Sequence, residues 1–117
     1  MASFGELMSL DESSFETLAE QAMQGFADQV EDKAGDEADV DFEGGILTIE
    51  LEEGGTFLLN KHGPLQQLWL SSPLSGASHY KYDEAVGRWR STRDDNDLAE
   101  RLAAELSRAT GAAITFD

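Results

Sequence analysis

The sequence predicts an α+β fold, a two-layer sandwich in which an antiparallel sheet of five or six strands packs on two helices in the order α-β(5-6)-α, as one domain over residues 1–117. Three observations predict it. Apolar residues recur at spacings of three and four from Phe15 to Val30. Short runs of alternating apolar and polar residues, broken by Gly44-Gly45 and Gly54-Gly55, fill the middle of the chain. A second stripe at helical spacing follows Asp97 and stops at Gly111.

The first helix opens with Ser9-Leu-Asp-Glu12, which fits a capping box with Ser9 as N-cap. Phe15, Leu18, Ala19, Ala22, Met23, Phe26 and Val30 form its apolar face. Ala38, Val40 and Phe42 then alternate with Asp39, Asp41 and Glu43, and Leu47, Ile49 and Leu51 alternate with Thr48, Glu50 and Glu52, so the two runs read as a hairpin. Further strands are expected at Thr56–Lys61, Gln67–Ser71, His79–Tyr82 and Arg88–Ser91. Asp97, with Glu100 three residues on, caps the second helix, whose buried stripe is Leu98, Leu102, Leu106 and Ala109. The tail Ala113–Phe116 is expected to add a short extended segment.

Charge narrows the function. The chain carries 24 acids against 8 bases, a formal net charge of −16. Residues 1–53 hold 16 acids and one base, Lys33, whereas residues 54–117 hold 8 acids and 7 bases. Such a chain repels nucleic acid and anionic membranes, so metal cations and basic protein surfaces are the expected partners. The absence of cysteine excludes disulfides, thiolate metal sites and cysteine catalysis. No apolar run approaches the ~20 residues that span a bilayer, and the first residues lack the pattern of a signal peptide or presequence. The expected location is the cytoplasm, with a protein already processed into another compartment second.

The acids have a direction. Glu12, Glu16 and Glu20 stand four residues apart opposite the apolar stripe, and Asp28, Glu31 and Asp32 sit at the helix C-terminus, where the macrodipole disfavours anions. Asp36, Glu37 and Asp39 carry the series into the first strand. Like charges at that spacing cost stability, so neutralising Glu16 and Glu20 together is expected to raise the melting temperature. A ridge of this kind offers hard oxygen ligands without a cage and suits weak binding of iron, manganese or calcium at several places. Asp39-x-Asp41-x-Glu43-Gly44 with Glu50 nearly spells a calcium-binding EF-hand loop, but Gly54-Gly55 follows where its exit helix is needed.

Strand parity yields a second surface. If Leu68 and Leu70 are core, Gln67, Trp69 and Ser71 face the other way, and the same face collects Asn60, His79, Lys81, Arg88 and Arg90. A tryptophan exposed among polar groups is typical of a protein-binding face, the alternative being that Trp69 tucks under a neighbouring loop. No nucleophile, P-loop, dinucleotide or zinc-protease motif is present, and His62 and His79 read as surface residues.

These features together resemble the frataxin family, and within it the bacterial CyaY type, from about Leu10 to Phe116. The resemblance rests on Gly45-Ile-Leu-Thr-Ile, Asn60-Lys-x-x-Pro64, Gln67-Leu-Trp-Leu-Ser-Ser-Pro73 and Ser75-Gly76, with Leu10-Asp-Glu, Phe15-Glu-x-Leu-Ala19 and Leu102-Ala-Ala-Glu-Leu106 at the two ends. It implies an iron-binding accessory protein of iron–sulfur cluster assembly. The implied iron ridge is Glu12, Glu16, Glu20, Asp28, Glu31, Asp32, Asp36, Glu37 and Asp39, holding Fe2+ or Fe3+ weakly and docking on the cysteine desulfurase. The implied scaffold-binding face is Asn60, Gln67, Trp69 and His79. Gln21 and Gln24 stand where some members carry acids, and His79 where some carry arginine, which introduces a pH-sensitive group. A monomer that forms metal-induced oligomers is expected, without a tightly bound organic cofactor. Two alternatives stay open: a ferroxidase or iron-storage protein, and an interaction module whose metal binding is incidental.

Overall fold

The computed structural model describes residues 10–116. Helix α1 (Glu12–Ala34) is followed by six strands, β1 (Ala38–Glu43), β2 (Ile46–Leu51), β3 (Thr56–His62), β4 (Gln67–Ser72), β5 (Gly76–Asp83) and β6 (Arg88–Ser91), and by helix α2 (Leu98–Thr110). The strands form one antiparallel sheet in sequence order, β1 to β6. The α+β sandwich read from the sequence is therefore the observed one.

The expected start of α1 shifts by two residues. Asp11 is the N-cap, and its carboxylate accepts from the Ser14 amide at 2.7 Å. Ser9 lies outside the described residues. At the other end, a Cβ on Gly35 would stand 2.5 Å from the Glu31 carbonyl oxygen, so only glycine lets the chain leave the helix there. Gly44 and Gly45 both have positive φ, 61° and 77°, and make the two-residue turn of the β1–β2 hairpin. The EF-hand pattern is thus two paired strands, with Asp39 directly opposite Glu50.

The core lies between the helices and one sheet face. Phe15, Ala19, Met23 and Val30 of α1 meet Leu98, Leu102 and Leu106 of α2 over Leu47, Ile49, Phe57, Leu59, Leu68, Leu70 and Tyr80. Trp89 is 7% exposed and packs edge-on against Phe15 and Tyr82. Burial pushes the Tyr80 phenol above its ordinary pKa, and Ser78 Oγ donates to its oxygen at 3.0 Å. The tail is no strand. It is pinned by two bonds between Ser107 Oγ and Ile114 and by Phe116 on Phe26, 4.8 Å between ring centres.

Polar pairs lock α2 to the sheet. Ser72 Oγ donates to buried Glu105 at 2.5 Å and accepts the Leu74 and Ser75 amides, which explains the Ser-Ser-Pro-x-Ser segment. Asp97 caps α2 by accepting from the Glu100 amide, and it accepts from Arg88 Nε and Nη2 at 2.7 and 2.8 Å. Parity had placed Arg88 on the open sheet face. On this edge strand no neighbour restrains it, and its guanidinium reaches the helix cap instead.

The bidentate Arg88 guanidinium holds the Asp97 carboxyl below its ordinary value of 3.8. A depressed folded pKa means that the pair contributes above the unfolded value and is lost as pH falls through the folded one. Asp97→Ala is expected to cost about 2 kcal/mol at pH 7, and Asp97→Asn less, because its amide oxygen still accepts from Glu100. In urea titrations the gap between wild type and Asp97→Asn should close below the ordinary carboxylate range. A gap that is unchanged at pH 2 would show that ionisation of Asp97 contributes nothing.

Candidate functional site

The acids of α1 form a row because i, i+4 residues stack on one helix face, and burial of Phe15, Ala19, Met23 and Val30 turns that row outward. Glu12, Glu20, Asp28, Glu31, Asp32, Asp36 and Asp39 are exposed, while Glu16 and Glu37 are half-buried. Among the described residues no three carboxylate or imidazole groups form a ready-made metal cage. The ridge is an open set of oxygen donors in water.

Two features of the ridge were not legible locally. Lys61 of β3 pairs with Glu16 across the helix–sheet boundary, with the lysine side chain 19% exposed. Glu16 is therefore a structural partner as well as a ridge residue, and its neutralisation does more than relieve repulsion. Glu43, which the helical spacing could not reveal, joins Glu20 and Asp28 around a groove between α1 and the β1–β2 turn. Gln24 fills the gap between the acids by donating to Asp28 at 2.9 Å. Lys33, the one base of the acidic half, is turned to the tail and donates to the Thr115 carbonyl.

The open sheet face holds the second set. Trp69 lies opposite Asn60 on β3 and His79 on β5, and Gln67 lies opposite His62 and Lys81. The indole is half-buried, not free: the His62 and His79 rings stack on its two faces at 4.1 and 4.3 Å, nearly parallel. Its Nε1–H donates to Gln67 Oε1 at 2.8 Å. The sequence alone marks His62 only as a surface residue. As the last residue of β3 it becomes a diagonal neighbour of Trp69, and its Nδ1 accepts the Leu65 amide. Ile46, 43% exposed, extends the row beyond Asn60. This face is aromatic and apolar at its centre, with Lys81 and Arg90 on one side and Asp41 and Glu43 on the other.

Residues 8–112 match the family model described as a frataxin-like domain. This chain belongs to the frataxin-like family. It is 36% identical over 110 residues to the iron-sulfur cluster assembly protein CyaY of Pseudomonas fluorescens, covering 94% of this chain and 98% of that one. Among solved structures it is similar to the frataxin of Psychromonas ingrahamii, with a TM-score of 0.82 and 29% identity over 92% of this chain and 99% of that one. It is also similar to trimeric frataxin of Saccharomyces cerevisiae complexed with ferrous, with a TM-score of 0.67 and 27% identity over 88% of each chain. The frataxin-like fold thus presents a carboxylate ridge on α1 and β1 and a separate tryptophan-centred face.

The Lys61 contact separates two neighbouring glutamates in their effect on stability. Glu16→Gln is expected to lose about 0.5–1 kcal/mol, whereas Glu20→Gln should be neutral or slightly stabilising, as read by thermal melts at low and high salt. Equal effects of the two would show that the Lys61 pair contributes nothing. The tryptophans should differ more. Trp89→Ala is expected to cost about 3–5 kcal/mol, and Trp69→Ala less than half of that, with urea unfolding as the measurement. The reverse order would place the core on the other sheet face.

Proposed function

We propose that this chain is an iron-binding accessory protein of iron–sulfur cluster assembly. The observation that carries the reading is the ridge itself: seven of its nine carboxylates are exposed, and among the described residues one ion pair, Lys61 with Glu16, balances them. Stability alone does not account for that charge, since Asp28, Glu31 and Asp32 oppose the helix dipole. The name of the Pseudomonas relative and the ferrous complex of the yeast protein support the same role.

In this reading Glu12, Glu16, Glu20, Asp28, Glu31, Asp32, Asp36, Glu37 and Asp39 supply oxygen donors to Fe2+ and Fe3+ as cargo. Exposed carboxylates keep much of their water and are screened by salt, so affinity is around micromolar to tens of micromolar. The ridge docks on the cysteine desulfurase, and Asn60, Gln67, Trp69 and His79 meet the scaffold protein. The chain works as a monomer in the bacterial cytoplasm and forms oligomers when metal bridges ridges of neighbouring copies. A ferroxidase would require carboxylates that share a pair of irons, whereas Glu12, Glu16 and Glu20 stand four residues apart, about 6 Å along the helix axis. Oxygen consumption with ferrous iron separates the two readings, because catalytic turnover by the monomer supports the ferroxidase.

Paramagnetic iron should broaden the amide signals of residues 12–41 and spare 98–110, and broadening centred on His62 and His79 would refute the ridge. In a reconstituted cluster-assembly assay the protein should change the rate, and Trp69→Ala should bind the desulfurase–scaffold complex about tenfold more weakly while remaining folded. Wild-type affinity of a folded Trp69→Ala would remove the scaffold-binding face from the reading.

A further inference from the structure

The sheet order leaves β1 with a strand on one side only. Which of its main-chain groups are free follows from the register. The Glu52 amide donates to the Glu37 carbonyl at 2.9 Å, and on the other side of β2 the Leu51 amide donates to Gly55 and the Lys61 amide to Gly45. Odd-numbered β2 residues therefore point to β3, and the even ones point to β1. In β1 it is Asp39, Asp41 and Glu43 that bond to β2, so the N–H and C=O of Ala38, Val40 and Phe42 point away from the sheet. Among the described residues nothing pairs with them. Six residues of strand with three outward N–H and three outward C=O groups make a template for one more strand.

We infer that the β1 edge binds a basic, extended segment of a partner protein by strand addition. The carboxylates alone specify no ligand; the unpaired backbone groups call for a peptide, and the charges around them select its side chains. Asp39, Asp41 and Glu43 stand on the open face, where they flank one row of the incoming strand. The other row passes over half-buried Val40 and Phe42 into the groove of about 720 Å³ lined by Glu20, Gln24, Asp28 and Glu43. Lysine and arginine suit that row, with methylene stems on the apolar residues and charged heads at the carboxylates. A second copy of this chain does not fit, because antiparallel pairing of β1 with itself sets these three acids against themselves. The inference rests on the docking reading above and adds its mode: the ridge and the strand edge form one continuous site.

The test is amide exchange by NMR on the labelled chain, alone and saturated with the recombinant desulfurase–scaffold complex. Val40 and Phe42 amides should slow about tenfold or more on binding, while those of Asp39 and Asp41 are already protected in the free chain. Val40→Pro removes an outward N–H and no ladder bond, so it should bind about tenfold more weakly, whereas Val40→Ala, which keeps the N–H, should bind within about threefold of wild type. If the complex forms and Glu20→Gln with Asp28→Asn weakens it, yet Val40 and Phe42 exchange as in the free chain, strand addition is wrong and charge docking stands. If charge neutralisation leaves binding unchanged, or no complex forms at low salt, the docking reading falls and strand addition with it.

Discussion

Two helices cover only one face of the sheet, so every strand must offer an apolar row to the helices and a row that tolerates water to the other side. Because the side-chain period is two, fixing Leu47, Ile49, Phe57, Leu59, Leu68 and Leu70 inside also fixes Asn60, Gln67 and Trp69 outside. A one-residue slip of β3 or β4 would exchange the rows and turn Asn60 or Gln67 into the core. The tryptophan-centred face is thus a direct consequence of the register that the core requires. What the core does not require is an indole there. The His62 and His79 rings on its two faces and the Gln67 acceptor hold it in one orientation, which limits the side-chain freedom lost on docking.

The same one-sided burial explains how the chain carries its charge. With Phe15, Ala19, Met23 and Val30 held by the core, α1 has a full helical face left over, and acids placed there disturb no packing. The repulsion among them is spread through water and screened, whereas the apolar row beneath is fully desolvated. Each buried Phe or Met contributes on the order of 1.5–3 kcal/mol, against a few tenths for each like-charge pair at i, i+4. Hydrophobic burial wins comfortably, so the fold can hold a carboxylate array whose arrangement answers to a partner and not to stability.

The elements were legible because each depends on local pattern. The α1 stripe, the Gly-Gly turns, the Asp97 cap and Gly111, which closes α2 with φ 79°, are all set within a few residues. What the local pattern missed lies mostly, though not for the α1 cap, in contacts between separate segments. Asp11 caps α1 through the nearby Ser14 amide in place of the expected Ser9, Arg88 leaves its strand face for Asp97 at an unrestrained edge, and the tail is held on α1 through Phe116. The Glu16–Lys61 pair joins residues 45 apart, and no helical spacing encodes it. His62 joined the stack only once the β3–β4 register was known, since the turn Gly63-Pro64 hid its place at a strand end.

The two surfaces meet in the tripeptide Asn60-Lys61-His62. Alternation sends Asn60 and His62 to the tryptophan face and Lys61 to the helix side, where it passes so close to Gly45 that a Cβ there would stand 3.2 Å from the lysine Cε. Gly45 therefore serves both its positive φ and the path of that side chain. By pairing with Glu16, Lys61 neutralises the ridge near its amino-terminal end and leaves the uncompensated carboxylates running from Glu20 to Asp39, beside the free edge of β1. The negative potential is thereby concentrated where unpaired backbone groups are also available. The aromatic face is reached from the same strand through residues that carry no negative charge. A partner that is basic in one part and apolar in another can engage both surfaces at once, the basic part along α1 and the β1 edge and the apolar part on Trp69, beyond Asp41 and Glu43 on the same sheet face.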